Sequence, residues 1–162
     1  MLKLDIIIYQ RVYQTQIMNI KLFLFIIFIP FFALSQEINI EDMSVEDIIK
    51  KRTSNMSKIK VYSTKMYPLT MSGEFDEIKE INDMLLNASK EFKVLFPEGS
   101  QGSKASGLIW DDKVTFDLYN DNFVQSIESI AISIENEDSV SLMENFSIMT
   151  SNCGICHKKF RN

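Results

Sequence analysis

The sequence predicts an all-α protein, an antiparallel four-helix bundle. Three observations carry this. Apolar residues recur at helical spacing in four long segments of the 162-residue chain. Breaks rich in Pro, Gly and Ser separate those segments. No segment shows the period-two alternation of a half-buried strand.

The elements follow in order. Residues 1–17 have no export logic and read as an over-extended N-terminus, with Met18 as the expected start. Residues 18–35 form a tripartite signal peptide. Met18 to Lys21 is a short basic region, Leu22 to Phe32 is apolar and broken only by Pro30, and Ala33-Leu34-Ser35 supplies small residues for cleavage. The apolar run is short for a membrane span, which needs about 20 residues. Cleavage after Ser35 is expected, with an uncleaved anchor as the alternative. Residues 36–162 then form one domain, exported to the periplasm and away from the membrane.

The first helix starts near Ser44, a good N-cap, with Met43 and Ile48 placed as a hydrophobic staple. Its inner stripe reads Val45, Ile48/Ile49, Arg52, Met56, Ile59, Ser63 and Met66, and Pro68 is expected to end it. The second helix follows Gly73 and carries Phe75, Ile78, Ile81, Leu85, Ala88, Phe92 and Leu95. Acidic Glu74, Asp76 and Glu77 at its start complement the helix dipole. A Gly- and Ser-rich loop runs from Phe96 to Gly107. The third helix spans about Asp111 to Asn136, with Phe116, Tyr119, Phe123, Ile127, Ile130 and Ile134 on one face. The fourth starts near Ser139 and carries Leu142, Phe146, Met149, Cys153, Cys156 and Phe160, a series stepping by four and three.

The chain is acidic, with a formal net charge of -5. Signal cleavage would remove Lys3, Arg11, Lys21 and Asp5, adding two more negative charges. That balance argues against nucleic acid as a partner. It suits partners with basic patches, mainly through association rate. Catalytic constellations are missing as well. A second His to act as a base and a Gly-rich phosphate loop are both lacking, so the chain is not expected to be an enzyme.

The chemistry concentrates in Cys153-Gly154-Ile155-Cys156-His157, which holds both cysteines and the single histidine of the sequence. Cys-x-x-Cys-His is the attachment signature of a c-type haem. Two thiols add to two vinyl groups, and the adjacent imidazole becomes the proximal iron ligand. On a helix the three side chains share one side. A redox dithiol, a short-loop disulfide and a zinc site are the alternatives. The dithiol motif usually accompanies a βαβ pattern, a disulfide closing so short a loop stabilises little, and zinc wants four ligands where Cys and His together supply three. One covalent haem c is expected in the bundle core, near the C-terminal helix.

With these residues in view, the chain resembles the cytochrome c prime family, the class II c-type cytochromes. Cys153 to Arg161 matches the family's ending, Leu95 to Ser100 its loop after the second helix, and Ile109-Trp110 followed by Phe116 its entry to the third. Arg52 and Met56, four apart, match its first helix. The resemblance covers about residues 44–162. Asp112 departs from it, standing where the family often has a second aromatic. The resemblance implies a four-helix bundle that carries electrons to redox partner proteins, and it extends to this chain the expectation of a homodimer through the first two helices.

Met56 decides the branch. By composition it is core filler on an apolar stripe. In the family's low-spin branch, the residue matching Met56 is the sixth iron ligand, and His157/Met56 coordination follows by resemblance. A five-coordinate haem protein that binds nitric oxide is the competing reading, and a haem-free exported interaction module is the third. Arg52, one turn before Met56, needs a buried anion, which a haem propionate would supply; the alternative is a snorkelling arginine at the rim. For Arg161 the resemblance also suggests a propionate, against a simple cation at a helix C-terminus. Lys158 and Lys159 read as a solvated basic end. Trp110, Phe92, Phe123 and Phe160 read as core or pocket wall.

Overall fold

The structure, a computed structural model, describes residues 39–162. The expected extension 1–17 and the signal 18–35 with its cleavage point lie outside the described residues. Five helices are formed among the described residues: α1 Val45–Ser72, α2 Phe75–Lys93, the single turn α3 Leu108–Asp111, α4 Lys113–Glu135 and α5 Ser139–Phe160. The four long ones make the bundle. Around the ring, α1 packs on α2, α2 on α4, α4 on α5, and α5 returns to α1. Cross-helix pairs fix the antiparallel directions. Asn55 bonds Glu91 between α1 and α2. Lys90 pairs with Glu128 and Lys93 with Asp121 between α2 and α4. Asn145 bonds Ser133 and Asn152 bonds the Asn122 carbonyl between α4 and α5. Among the described residues no helix is long and apolar enough to cross a membrane.

The caps explain most boundaries. The Ser44 hydroxyl accepts from the Asp47 N–H at 3.1 Å and starts α1. The Asp112 carboxylate accepts from the Thr115 N–H and starts α4; that of Asp138 accepts from the Val140 and Ser141 N–H groups and starts α5. Pro68 corrects an expectation. It sits inside α1, which runs on to Ser72. A proline removes one N–H from the ladder but leaves later residues free to continue it. The real stop is Gly73 at φ 73°, whose N–H bonds the Leu69 carbonyl at 3.0 Å. Val45 is a second correction. Expected on the inner stripe, it is 48% exposed, and burial in α1 begins only at Ile48. The expected third helix is also divided: Asp112 leaves helical geometry at φ -126°, ψ 56° and splits α3 from α4.

Two apolar clusters fill the interior. The larger, in mid-bundle, joins Ile59 and Met66 of α1, Ile78 and Leu85 of α2, Ile127 and Ile130 of α4, and Leu142, Phe146 and Met149 of α5. Burying each such side chain contributes about 1.5–3 kcal/mol. The smaller is aromatic and caps one end. Phe96 meets Phe92 at 4.9 Å and Phe116 at 4.6 Å between centroids, and Phe160 meets Phe116 at 5.3 Å, all edge-to-face. Each such pair adds about 0.5–1.5 kcal/mol. This end closes around the loop that follows α2. Leu95, expected on the second helix, lies past its end, yet is fully buried there with Phe96 and Ile109.

Candidate haem site

The seam between α1 and α5 is the loosest in the ring. At the aromatic end it opens into a cavity of about 620 Å³, within the roughly 300–1,000 Å³ of ligand pockets. Arg52, Met56 and Lys60 of α1 line one wall, with Thr53 and Ser57 beside them. Cys156, His157, Phe160 and Arg161 line the other. Phe92, Phe96, Ile109 and Phe116 form the apolar floor, and Ser103, Lys104 and Ala105 bring in the loop.

The level of each group follows from one contact. Tyr67 of α1 and Phe146 of α5 meet with centroids 6.0 Å apart and their rings tilted by 38°. The helices run antiparallel, so residues equally far from that contact, in opposite sequence directions, face each other. Met56 and His157 are each eleven residues from it, about 16 Å along the axes at 1.5 Å per residue. They therefore face each other across the cavity, one from each wall. Arg52 and Arg161 are level one turn further on.

The attachment residues sit in the last turns of α5. Cys153 and Cys156 are both half-buried free thiols. Cys153 donates to the Met149 carbonyl at 3.5 Å and is not on the cavity wall; Cys156 is. Burial raises both thiols above their ordinary range. Cys156 is pushed up to about 11, by burial first and by the Cys153 charge second. Both thiols therefore stay protonated at neutral pH, and they are the two groups that would supply the thioether links of a c-type haem. Burial lowers the His157 pKa, with Arg161 adding to the effect. The imidazole is thus held neutral, which is the metal-binding form. Among the described residues no group of three or more His, Cys, Asp or Glu is placed to hold a metal ion alone.

Arg52 is 5% exposed and pairs with no carboxylate among the described residues. Its Nη1 donates to the Leu95 carbonyl at 3.2 Å, and its Nη2 to the Ser100 carbonyl at 2.9 Å and more weakly to that of Gly102. The guanidinium lies 4.7 Å from the Phe96 centroid and 5.7 Å from that of Trp110. Backbone carbonyls of the loop after α2 thus accept from the Arg52 guanidinium. Arg161 is exposed; its backbone pairs with Ala105 while its side chain borders the cavity. Lys159, expected to be solvated, instead pairs with Asp112 at 2.6 Å and ties α5 to the start of α4. Asp112 thus has a use unlike the aromatic it replaces. Trp110 braces the loop through Nε1 to the Pro97 carbonyl at 2.9 Å and lies off the cavity wall, as does Phe123 in the mid-bundle core. Sequence reasoning missed Lys60 and Lys104. Lys60 continues the four-residue step from Arg52 through Met56, a signal that was there to find. Lys104 carries none, because a loop residue has no period.

The residues fit a haem. A largely apolar cavity is lined by the Cys156 thiol and the His157 imidazole on one helix, with Cys153 one turn back on that helix, by the Met56 thioether on the facing helix, and by the cations of Arg52, Lys60, Lys104 and Arg161. When bound, the haem supplies an iron that changes oxidation state or takes a diatomic ligand. Fold and site together define a c-type haem-binding four-helix bundle. The family model described as Cytochrome C′ matches residues 47–161. The chain belongs to the cytochrome c′ family, whose members carry one covalent haem c.

Solved structures agree on the fold. One described as cytochrome c′ is 22% identical, superposes at a TM-score of 0.70 and covers 74% of this chain and 98% of its own. Recombinant native cytochrome c prime from Alcaligenes xylosoxidans is 23% identical at a TM-score of 0.70, covering 74% of this chain and 97% of its own. A nitric oxide complex of a point mutant of that protein is 23% identical at the same TM-score, covering 74% and 96%. No curated protein matches this chain.

Proposed function

We propose that this chain is a periplasmic mono-haem electron carrier. Its haem is bound through Cys153 and Cys156, with His157 as proximal and Met56 as distal iron ligand. The observation that carries this reading is the register of α1 against α5, which sets Met56 level with His157 across the cavity. A thioether in the sixth position raises the reduction potential and keeps exogenous ligands off the iron. The protein performs no chemical transformation; it passes electrons between redox partner proteins and forms a homodimer. Export follows from residues 18–35, since covalent haem attachment belongs with an exported protein. The optical spectrum of the matured protein tests the ligation: a low-spin ferric spectrum supports it.

A second reading has its own support. Several of the similar structures are nitric oxide or nitrosyl complexes of the Alcaligenes xylosoxidans protein. In that reading Met56 walls the distal side without ligating, and the iron binds nitric oxide. A high-spin ferric spectrum, with carbon monoxide bound readily on reduction, would select it.

A further inference from the structure

The solvent face of α5 carries no charge over most of its length. From Asn145 to His157, about 20 Å of helix, the sequence has no Asp, Glu, Lys or Arg. Yet 24% of the chain is charged, and a surface helix normally turns charged residues outward. α5 instead exposes Ser147, Ile148, Thr150, Ser151, Gly154 and Ile155 there, with Ile148 at 48% and Ile155 at 50%. The Asn152 bond to the Asn122 carbonyl sets antiparallel α4 so that Leu118 is about level with Ile155. Leu118 and Val114, one turn from it, are exposed as well. An exposed face with apolar residues and no charge marks an interaction surface. Charge returns only at its two ends. Glu144 precedes it and Lys158 follows it, both exposed, and neither has a salt-bridge partner among the described residues.

Glu144, Ile148, Ser151, Ile155 and Lys158 step by four, three, four and three, so they share one side of the helix. Their order is complementary to itself when turned end for end. In an antiparallel α5–α5 pair, Ile148 set opposite the partner's Ile155 puts a two-fold axis between Ser151 and Asn152. Glu144 then falls within one residue of the partner's Lys158, and Lys158 within one residue of the partner's Glu144. Acid meets base at both ends, apolar meets apolar between them, and the small Ser151 lets the helices approach at the axis. A two-fold interface needs one such self-complementary patch. We propose that a second copy of this chain docks antiparallel on this face of α5. The inference rests on the homodimer reading and assigns its face, α5 in place of the α1–α2 pair expected by resemblance. The α1–α2 surface turns Lys58, Lys65, Glu77 and Glu80 outward. Ile155 stands between Cys153 and Cys156 in sequence, so pairing covers the outer side of the attachment turn in both copies.

Sedimentation equilibrium of the matured protein at low salt tests this. The face is small beside the usual interface of about 800 Å² per partner, so a dimer with a micromolar Kd is expected. Ile148→Glu places a carboxylate against the partner's Ile155 and should weaken association about hundredfold or more. Glu144→Lys sets like charges together at both ends and should weaken it about tenfold. Glu144→Lys combined with Lys158→Glu exchanges the two signs and should restore the wild-type Kd. Val61→Glu, at an exposed position of α1, should leave it unchanged. All four positions are exposed, so each variant should keep its helical circular dichroism. A wild type that is monomeric at about 500 μM would remove the homodimer reading, leave the face to a different protein and overturn the proposal. A dimer untouched by Ile148→Glu would keep the homodimer but overturn its α5 face, and one broken by Val61→Glu would move the interface to α1. Failure of the exchanged pair to restore association would overturn the antiparallel arrangement.

Discussion

Arg52 donates from Nη2 to the carbonyl of Ser100, forty-eight residues along the chain, at 2.9 Å. Ser100 is fully buried, and its hydroxyl bonds back to the Pro97 carbonyl at 2.7 Å. The loop after α2 is thus built around a guanidinium from α1. Truncating Arg52→Ala leaves the carbonyls of Leu95 and Ser100 buried without donors and removes the cation from the Phe96 face. A loss of about 2–4 kcal/mol in urea denaturation is expected. Arg52→Lys should recover little of it, because one ammonium cannot span two carbonyls and stack on a ring. A loss below 0.5 kcal/mol for Arg52→Ala would show that the loop holds itself.

Met56→Ala reads the distal side. If the thioether ligates, the substitution converts a low-spin spectrum to a high-spin one, opens the iron to carbon monoxide and lowers the reduction potential, since the thioether favours ferrous iron. Met56 is only half-buried, so the fold should survive. A wild-type protein that is already high-spin, or a spectrum unmoved by the substitution, would hand the site to the nitric oxide reading.

The covalent link and the export signal are read in one experiment. Protein recovered from the periplasm of a host with a c-type maturation system should have the mass of Gln36–Asn162 plus one haem. Acidified organic solvent should leave that haem on the polypeptide. Haem released into the solvent, or a mass that includes Met1 to Ser35, would contradict one half or the other.

These expectations show which parts of the molecule are legible in sequence. The mid-bundle helices are, because Ile78, Leu85, Ile127, Ile130, Leu142 and Met149 keep a strict helical period and all are buried. The attachment motif is legible because its chemistry is local to five residues. Pro68 misleads because a proline near a helix end still permits another turn, and the stop depends on a left-handed Gly73. The partners of Arg52 are not legible. Sequence marks an arginine on an inner face as needing an acceptor, but backbone carbonyls have no letter of their own. Only the folded loop shows that Leu95, Ser100 and Gly102 supply it. Lys104 is hidden for a related reason: a long-range backbone bridge to Arg161 brings it to the cavity.

The titration of the attachment residues gives the last prediction. Burial holds the Cys153 and Cys156 thiols above their ordinary 9.0, with Cys156 at about 11. In the unfolded chain these thiols ionise near 9, while the folded chain still keeps its protons. The unfolded state therefore gains as pH climbs. Stability is fully present below about pH 9 and is lost as pH rises toward 11. His157 acts on the acid side. Burial lowers its pKa below the ordinary 6.5, so the unfolded imidazole takes up a proton first as pH falls. That contribution is present above pH 6.5 and is lost as pH falls through the folded value. The unmatured chain should thus be most stable between about pH 6.5 and 9, with the urea midpoint dropping on both sides. Haem attachment turns both thiols into thioethers, which do not ionise, and binds the imidazole to iron. The alkaline drop due to the thiols should vanish in the matured protein. Urea midpoints measured at pH 7, 9, 10 and 11 on both forms check this, together with an unmatured chain carrying Cys153→Ala and Cys156→Ala. That variant should lack the thiol contribution as well. A drop between pH 9 and 11 as steep in it as in the unmatured wild type would assign the alkaline loss to other groups.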